Sequence, residues 1–415
     1  MSELNKILRF KDIFFIGLSD IIGAGLFAIF TSTILYGGTN TIPAFITIAI
    51  SSMISGLTYA EISSLFKSNI SEITLLKEIY SEEYSYFISY IIVFFQLFTI
   101  ITIIIALSKY IFNDNRFYGI LFSVIIISII YLINYYGIGL SSFIINIVSF
   151  ITVICLIFII LYGLRFGNIN SNKKMNSFSI KQTGLYGFLI SCTFIIFLFS
   201  GYDSVCKVYD EIHEDTVKYI PECIISIIII STFIYIFIAY LIIKLFKDKD
   251  IINEFTVVAQ LYKILISNNA YYFAYVIGIL IVIICALTGT LTMSRYVYGL
   301  SKDNMLPAYL SQLSKYKTPT NILLLSFIFS IFLAIMDNEK ITMNITNIVV
   351  FIILISVSSA LVIYRYKNKD KTDDDKSYKM PLYFNGVPIL PIFNTIFLII
   401  LLITCFIIFP EFFLS

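Results

Sequence analysis

The sequence predicts an all-α polytopic membrane protein whose helices form a five-plus-five inverted-repeat bundle, and three observations carry that expectation. Hydrophobic residues make up 59% of the 415-residue chain and charged ones 13%, with a mean hydropathy of +0.93, beyond the roughly 45–50% apolar usage of soluble domains. Apolar runs long enough to cross a bilayer recur along the whole chain. Two of those runs, one in each half, are interrupted by glycine beside a carboxylate, the pattern that points to a midmembrane site in carriers built from inverted repeats.

At about 20 apolar residues per crossing, eleven spans fall near 13–36, 41–65, 84–112, 117–136, 141–164, 186–209, 219–245, 272–300, 319–336, 343–364 and 388–409. An odd count places the termini on opposite sides of the membrane. Lys and Arg concentrate in the segments that face inward when the N-terminus is cytoplasmic, which sets that orientation, although the basic loop 165–181 opposes it. The first run is long and is followed by further spans, so it reads as a signal anchor and not as a cleaved leader.

Among the connections, 68–83 is polar and acidic and predicts a short interfacial helix on the inner face. The segment 246–271 places Phe255, Val258, Leu261, Tyr262 and Leu265 on one helical face, the pattern of a helix lying on the outer surface. The run 366–379 is a solvated connector.

Several functions lose support at this level. A net charge of +2 gives no electrostatic basis for nucleic acid binding. The six cysteines (Cys155, Cys192, Cys206, Cys223, Cys285, Cys405) have no metal-like spacing and read as buried free thiols. His213 is the single histidine, so neither a zinc centre nor a histidine relay is expected, and no nucleophile–base pair suggests an enzyme or a cofactor.

The first interruption is GLSDIIGAGLF at 17–27. Each glycine costs a helix interior roughly 1 kcal/mol against alanine, so Gly23 and Gly25, flanking Ala24, predict a break there. Inside a bilayer such a break is tolerated only where the freed N–H and C=O groups face a cavity or protein. The second interruption is FSGYD at 199–203, with Phe199, Ser200, Gly201 and Asp203. Asp20 and Asp203 stand at depths where an ionised side chain costs at least ~2.5–3.5 kcal/mol. Each has two readings: contact with a substrate amine or a coupling proton, or capping of the backbone N–H groups that the break releases. Gln96 and Asn146 read as interhelical hydrogen-bonding residues. Glu61, Lys207 and Arg295 read either as a charge latch near the inner helix ends or as groups snorkelling to the interface.

The run IGLSDIIGAGLF at 16–27, followed by LTYAEISSLF at 57–66, resembles the opening signature of transporters of the amino acid–polyamine–organocation (APC) superfamily. Further segments agree in order: LLKEIYSEEYSYF, NYYGIGLSSFIINIVSF, FLFSGYDSVCKVYDEI with IPECI, and SRYVYGLSKDNMLPAYLSQL with KTPTN. The resemblance implies an alternating-access carrier with the first and sixth spans unwound around an α-amino acid or amine. It implies a first repeat over about 12–165, a second over about 185–366 and an extra helix at 388–409. Backbone N–H groups of Gly23, Ala24 and Gly25 would meet the substrate carboxylate, and carbonyls near Phe199 and Ser200 would accept the ammonium. Phe197 matches an aromatic that can close over the substrate.

The carboxylate at Asp20 would tilt selectivity toward cationic substrates. By fold analogy Ser19, Thr288 and Thr290 would form a sodium site, but hydroxyls in membrane helices more often bond their own backbone, so a proton is preferred as the coupling ion. Many relatives carry a lysine six residues after the position of Asn146; Thr152 stands there in this chain, and eleven spans are expected where family members commonly have twelve. The expectation is a secondary active amino acid transporter or exchanger, a symporter or antiporter, in a lipid bilayer, with any accessory subunit open. The alternatives are a polyamine transporter and a non-transporting sensor of the same fold.

Overall fold

The computed structural model describes residues 3–28, 30–112, 115–167, 184–245, 257–336, 339–369 and 377–408. Each of the eleven expected spans is present as helix. The first is α1 (Phe10–Ala28) with α2 (Phe30–Gly37), and the next four are α3 (Thr41–Phe66), α5 (Glu82–Phe112), α6 (Arg116–Tyr135) and α7 (Ile138–Phe166), with the short α4 (Ser71–Ile79) between α3 and α5. The sixth span is α8 (Gly184–Leu198) with α9 (Ser204–Lys207), followed by the short α10 (Glu214–Val217). Then come α11 (Ile220–Leu245), the short α12 (Val257–Leu265), α13 (Asn268–Lys302), α14 (Thr320–Met336), α15 (Glu339–Lys367) and α16 (Leu390–Ile408). Among the described residues eight helices are long and apolar enough to cross a membrane, and α8 and α14 are shorter apolar helices.

Local chemistry sets the helix ends. The Asp12 carboxylate accepts from Arg9 N at 2.8 Å, satisfying a donor at the start of α1. Lys67, in the left-handed region at φ 48°, stops α3 by sending its N–H back to Ser63 O. The Ser267 hydroxyl caps α13 through Ala270 N. Outward faces stay apolar: Phe143, Ile147, Phe150, Ile154, Phe158 and Leu161 recur at helical spacing on α7 and are all exposed, as lipid contact requires.

The centre of the bundle is α13, buried almost continuously from Ile281 to Ser301 and packed against α1, α5, α7 and α12. Helices at equal positions in the two halves meet: α1 with α8, α3 with α11, α5 with α13 and α6 with α14.

Two connections depart from expectation. The 68–83 segment forms the short helix expected, α4, but it is wedged into the bundle and not laid on its surface: Ser71, Glu72, Ile73, Leu75 and Leu76 are buried, and it packs against α3, α5 and α15. Its polar residues hid an apolar stripe at helical spacing. After α15, β1 (Tyr383–Phe384) and β2 (Val387–Pro388) form an antiparallel hairpin over Asn385–Gly386, whose φ values of 49° and 79° suit a type I′ turn. The amphipathic α12 buries Val258, Leu261, Tyr262 and Leu265 against α13 and α7, and Tyr262 Oη donates to Cys155 O at 2.6 Å. Phe255 and most of the charged connector after α15 lie outside the described residues.

Candidate functional site

The sixth span breaks where the sequence predicts. Helix α8 ends at Leu198, α9 begins at Ser204, and Phe199 to Asp203 form the turn between them. Gly201 has φ +132°, a conformation that L side chains rarely adopt, so the chain turns at the one residue able to do it. The turn lies against α1: a Cβ on Gly201 would stand 3.0 Å from the Asp20 carbonyl carbon, the Asp20 Cβ and Ile21 N.

The first span departs from expectation at Gly23, Ala24 and Gly25, which are helical in α1. In this structure these glycines are closely packed. A Cβ on Gly23 would lie 2.3 Å from the Cβ of Cys285 on α13, and one on Gly25 would lie 3.0 Å from the Leu198 Cα on α8. Small residues let backbones approach where neighbouring helices share a polar interior. The α1–α2 junction at residue 29 lies outside the described residues.

Asp20, Gly25, Phe197, Ser200, Gly201 and Asp203 line one cavity of about 60 Å³ between α1, α5, the broken sixth span and α13. Phe199 points away, fully buried against the Tyr235 ring at 5.4 Å, so its part in the site is limited to its backbone. The Gly23 position faces Cys285, and the Ala24 side chain lies outside the described residues.

Charge and hydrogen bonding in the cavity are uneven. The Ser204 hydroxyl donates to the Asp20 carboxylate, and Cys285 Sγ lies 3.9 Å from Asp20 Oδ1. Lys207 Nζ pairs with Asp203 Oδ2 at 2.6 Å, one helical turn away. Lys207 does not snorkel; it is 5% exposed and is the one cation lining this cavity among the described residues. Gln96, on α5, also lines the cavity, and its Oε1 is buried without a hydrogen-bond donor. The sequence suggests an interhelical bonding role for Gln96; the open acceptor makes it a ligand candidate, and nothing in the sequence separates the two roles.

Tyr235 escaped the sequence reading. Its hydroxyl donates to Ile21 O at 2.8 Å and also contacts Leu198 O at 3.2 Å, tying α1 to the end of α8, where helical carbonyls lack intrahelical partners. One tyrosine in an apolar span carries no signal of that role.

The remaining candidates sort into structure. Asn146 Nδ2 donates to Asp12 Oδ1 at 2.6 Å, the interhelical bond expected. Ser19 Oγ and Thr288 Oγ1 meet at 2.9 Å, while Thr290 Oγ1 donates to Ala286 O within its own helix. Thr152 Oγ1 likewise bonds Val148 O. Glu61, Lys207 and Arg295 do not form one latch. Arg365 Nε reaches Glu61 Oε1 at 2.6 Å with Met380 N on the other oxygen, and Arg295 Nε reaches Glu211 Oε2 at 2.8 Å. Burial raises the Glu211 carboxyl and the facing guanidinium lowers it, leaving it above its usual value. The cysteines form no disulfide, and no group of His, Cys, Asp and Glu among the described residues could hold a metal. His213 accepts from Asp215 N at 3.4 Å beside α10.

Compared with known families, the sequence matches the model described as amino acid permease over residues 8–413. Among curated proteins no match is found.

Proposed function

Because the chain belongs to the amino acid permease family, and so to a class of multi-pass membrane transporters, we propose that it carries amino acids, cationic ones among them, by alternating access as a secondary active transporter or exchanger. The observation that carries this reading is the break at 199–203 lying against Asp20 on one cavity.

The substrate ammonium is assigned to the Asp20 carboxylate, the Gln96 Oε1 and the carbonyls at Phe199 and Ser200. These groups combine an acidic side chain, an acceptor without a donor and backbone outside regular helix. Phe197 closes over the aliphatic part. The carboxylate is assigned to the N–H groups of Gly23, Ala24 and Gly25, which become donors when that turn of α1 opens; the two glycines reduce the helical preference there by roughly 1 kcal/mol each.

The halves 12–165 and 185–366 act as two repeats rocking about this site, with 388–409 outside them. Contact between helices at equal positions in the halves supports that division. The Lys and Arg bias supports a cytoplasmic N-terminus. Transport needs only a difference in affinity between inward- and outward-facing states, so no bond of the substrate changes. A proton is the proposed coupling ion, since Thr290 and Ser19 use their hydroxyls within the protein.

The test is uptake by proteoliposomes of a panel of radiolabelled amino acids and polyamines, with and without a pH gradient or sodium. Saturable uptake of L-lysine or L-arginine, driven by the pH gradient or by internal amino acid and indifferent to sodium, supports the reading. Binding without flux would overturn it in favour of a sensor.

A further inference from the structure

A second cavity of about 30 Å³ lies beside the first and shares Phe95, Ser200, Asp203 and Lys207 with it. Its remaining carboxylate is Glu72, from the first turn of α4. Glu72 is 1% exposed; neither of its buried oxygens has a donor within normal hydrogen-bond geometry, and the Tyr296 hydroxyl that faces it is likewise without a partner at that distance. A buried, ionised carboxylate in that condition is costly, and a protein normally pairs it or neutralises it.

The charged groups facing Glu72 come from several helices. Lys207 and Asp203 stand on the broken sixth span with Cys206, Tyr59 stands on α3 and Tyr296 on α13. The α5 and α15 faces of the cavity contribute the apolar Ile92, Phe95, Val350, Ile353 and Leu354. Lys207 is the one cation on either cavity among the described residues, and Asp20, Asp203 and Glu72 all bear on it. One ammonium cannot neutralise three carboxylates, and its direct contact, at 2.6 Å, is Asp203.

We infer that Glu72 is a proton-binding site coupled to the substrate cavity through Lys207: it holds a proton while Lys207 pairs with Asp203, and releases that proton to water when Lys207 turns to it. No other bond changes; the ammonium moves from one carboxylate to another, and the proton leaves as Glu72 becomes the counter-ion. Asp203 is thereby freed to face an incoming substrate amine. The coupling to transport rests on the function proposed above, whereas the proton site itself does not. Burial lifts the Glu72 carboxyl to about 7, with Lys207 acting in the opposite direction.

The test begins without substrate, as an infrared pH titration of the purified full-length protein. Recorded in an Asp20→Asn background, so that the carboxyl of the neighbouring cavity contributes no band, a protonated-carboxyl band should vanish as pH rises through about 7, be missing when Glu72→Gln is added, and persist to higher pH when Lys207→Met is added, where the stabilising cation is gone. A band that survives in Glu72→Gln overturns the assignment. If that variant is not recovered folded, a Lys207→Met midpoint equal to that of the Asp20→Asn background overturns it instead. In proteoliposomes loaded with a pH-sensitive dye, L-lysine or L-leucine uptake should carry protons in the wild type and uncouple in Glu72→Gln. Coupled flux that survives in that variant contradicts the link to transport. Absence of uptake of either amino acid by the wild type refutes the transport reading and leaves the infrared result to stand.

Discussion

Gly201 rests on Asp20 with no room for a side chain: a Cβ there would come within 3.0 Å of the Asp20 carbonyl carbon, and φ is +132°. Gly201→Ala therefore meets both strain and crowding, about 1–3 kcal/mol for the backbone conformation alone. The expected result is a lowered thermal midpoint in detergent together with loss of uptake. An alanine variant with wild-type midpoint and uptake would mean that the turn is not held in this form.

Gly23→Ala should destabilise by about 1–3 kcal/mol, the usual range for overpacking, because the new Cβ would sit 2.3 Å from the Cβ of Cys285. The double variant Gly23→Ala/Cys285→Gly removes the colliding atom and should recover most of the thermal midpoint. No recovery would indicate that Gly23 acts through backbone freedom and not through the approach of α1 to α13.

The Glu211–Arg295 pair is fully buried, so truncating one partner leaves the other charge uncompensated. Glu211→Gln should cost about 3–5 kcal/mol. Glu211→Met with Arg295→Met should cost less than the sum of the single changes. Additive losses in thermal midpoint would show that the two side chains are not energetically coupled.

Stability should depend on pH through Glu72, whose carboxyl burial lifts from 4.5 to about 7. The folded protein keeps a proton that the unfolded chain has already lost in this window. The resulting stabilisation is fully present below 4.5 and is lost as pH rises through about 7. Its size is on the order of 3 kcal/mol. Thermal midpoints should fall between about pH 5 and about pH 8, and Glu72→Gln should flatten that fall. An equal slope in the variant would place the titration elsewhere.

Asp20→Asn should weaken uptake of L-lysine and L-arginine more than that of L-leucine, since the carboxylate is assigned to cationic substrates. A loss of about tenfold corresponds to about 1.4 kcal/mol of differential interaction. Equal losses across the three would leave Asp20 a purely structural partner of Ser204.

The spans were legible because a bilayer demands long apolar runs, and run length survives any ambiguity of packing. The break at Gly201 was legible for a related reason: a serine–glycine pair two residues before an acid, deep in such a run, has few other uses. Gly23 and Gly25 looked alike in sequence and mean something different in this structure. A glycine both loosens a helix and lets another helix approach, and only the neighbours Cys285 and Leu198 decide which. Lys207 read as a snorkelling side chain because its burial depends on α4 and α13, although the Asp203–Lys207 spacing of four residues signalled a pair. Glu72 and Tyr235 left no local trace, since their roles arise from segments distant in sequence. The Asn385–Gly386 turn carries its signal locally, since Asn-Gly suits the two positive φ values of a type I′ turn.

That the cavity beside the 199–203 break holds the substrate is tested most directly at Cys285, which lines it 3.9 Å from the Asp20 carboxylate. A small methanethiosulfonate reagent, followed by peptide mass spectrometry, reports Cys285 labelling in the full-length protein in liposomes. Saturating L-lysine or L-leucine should protect Cys285 and leave labelling of Cys155, on α7, unchanged. Cys285 labelling at the same rate with every transported amino acid present would contradict the assignment.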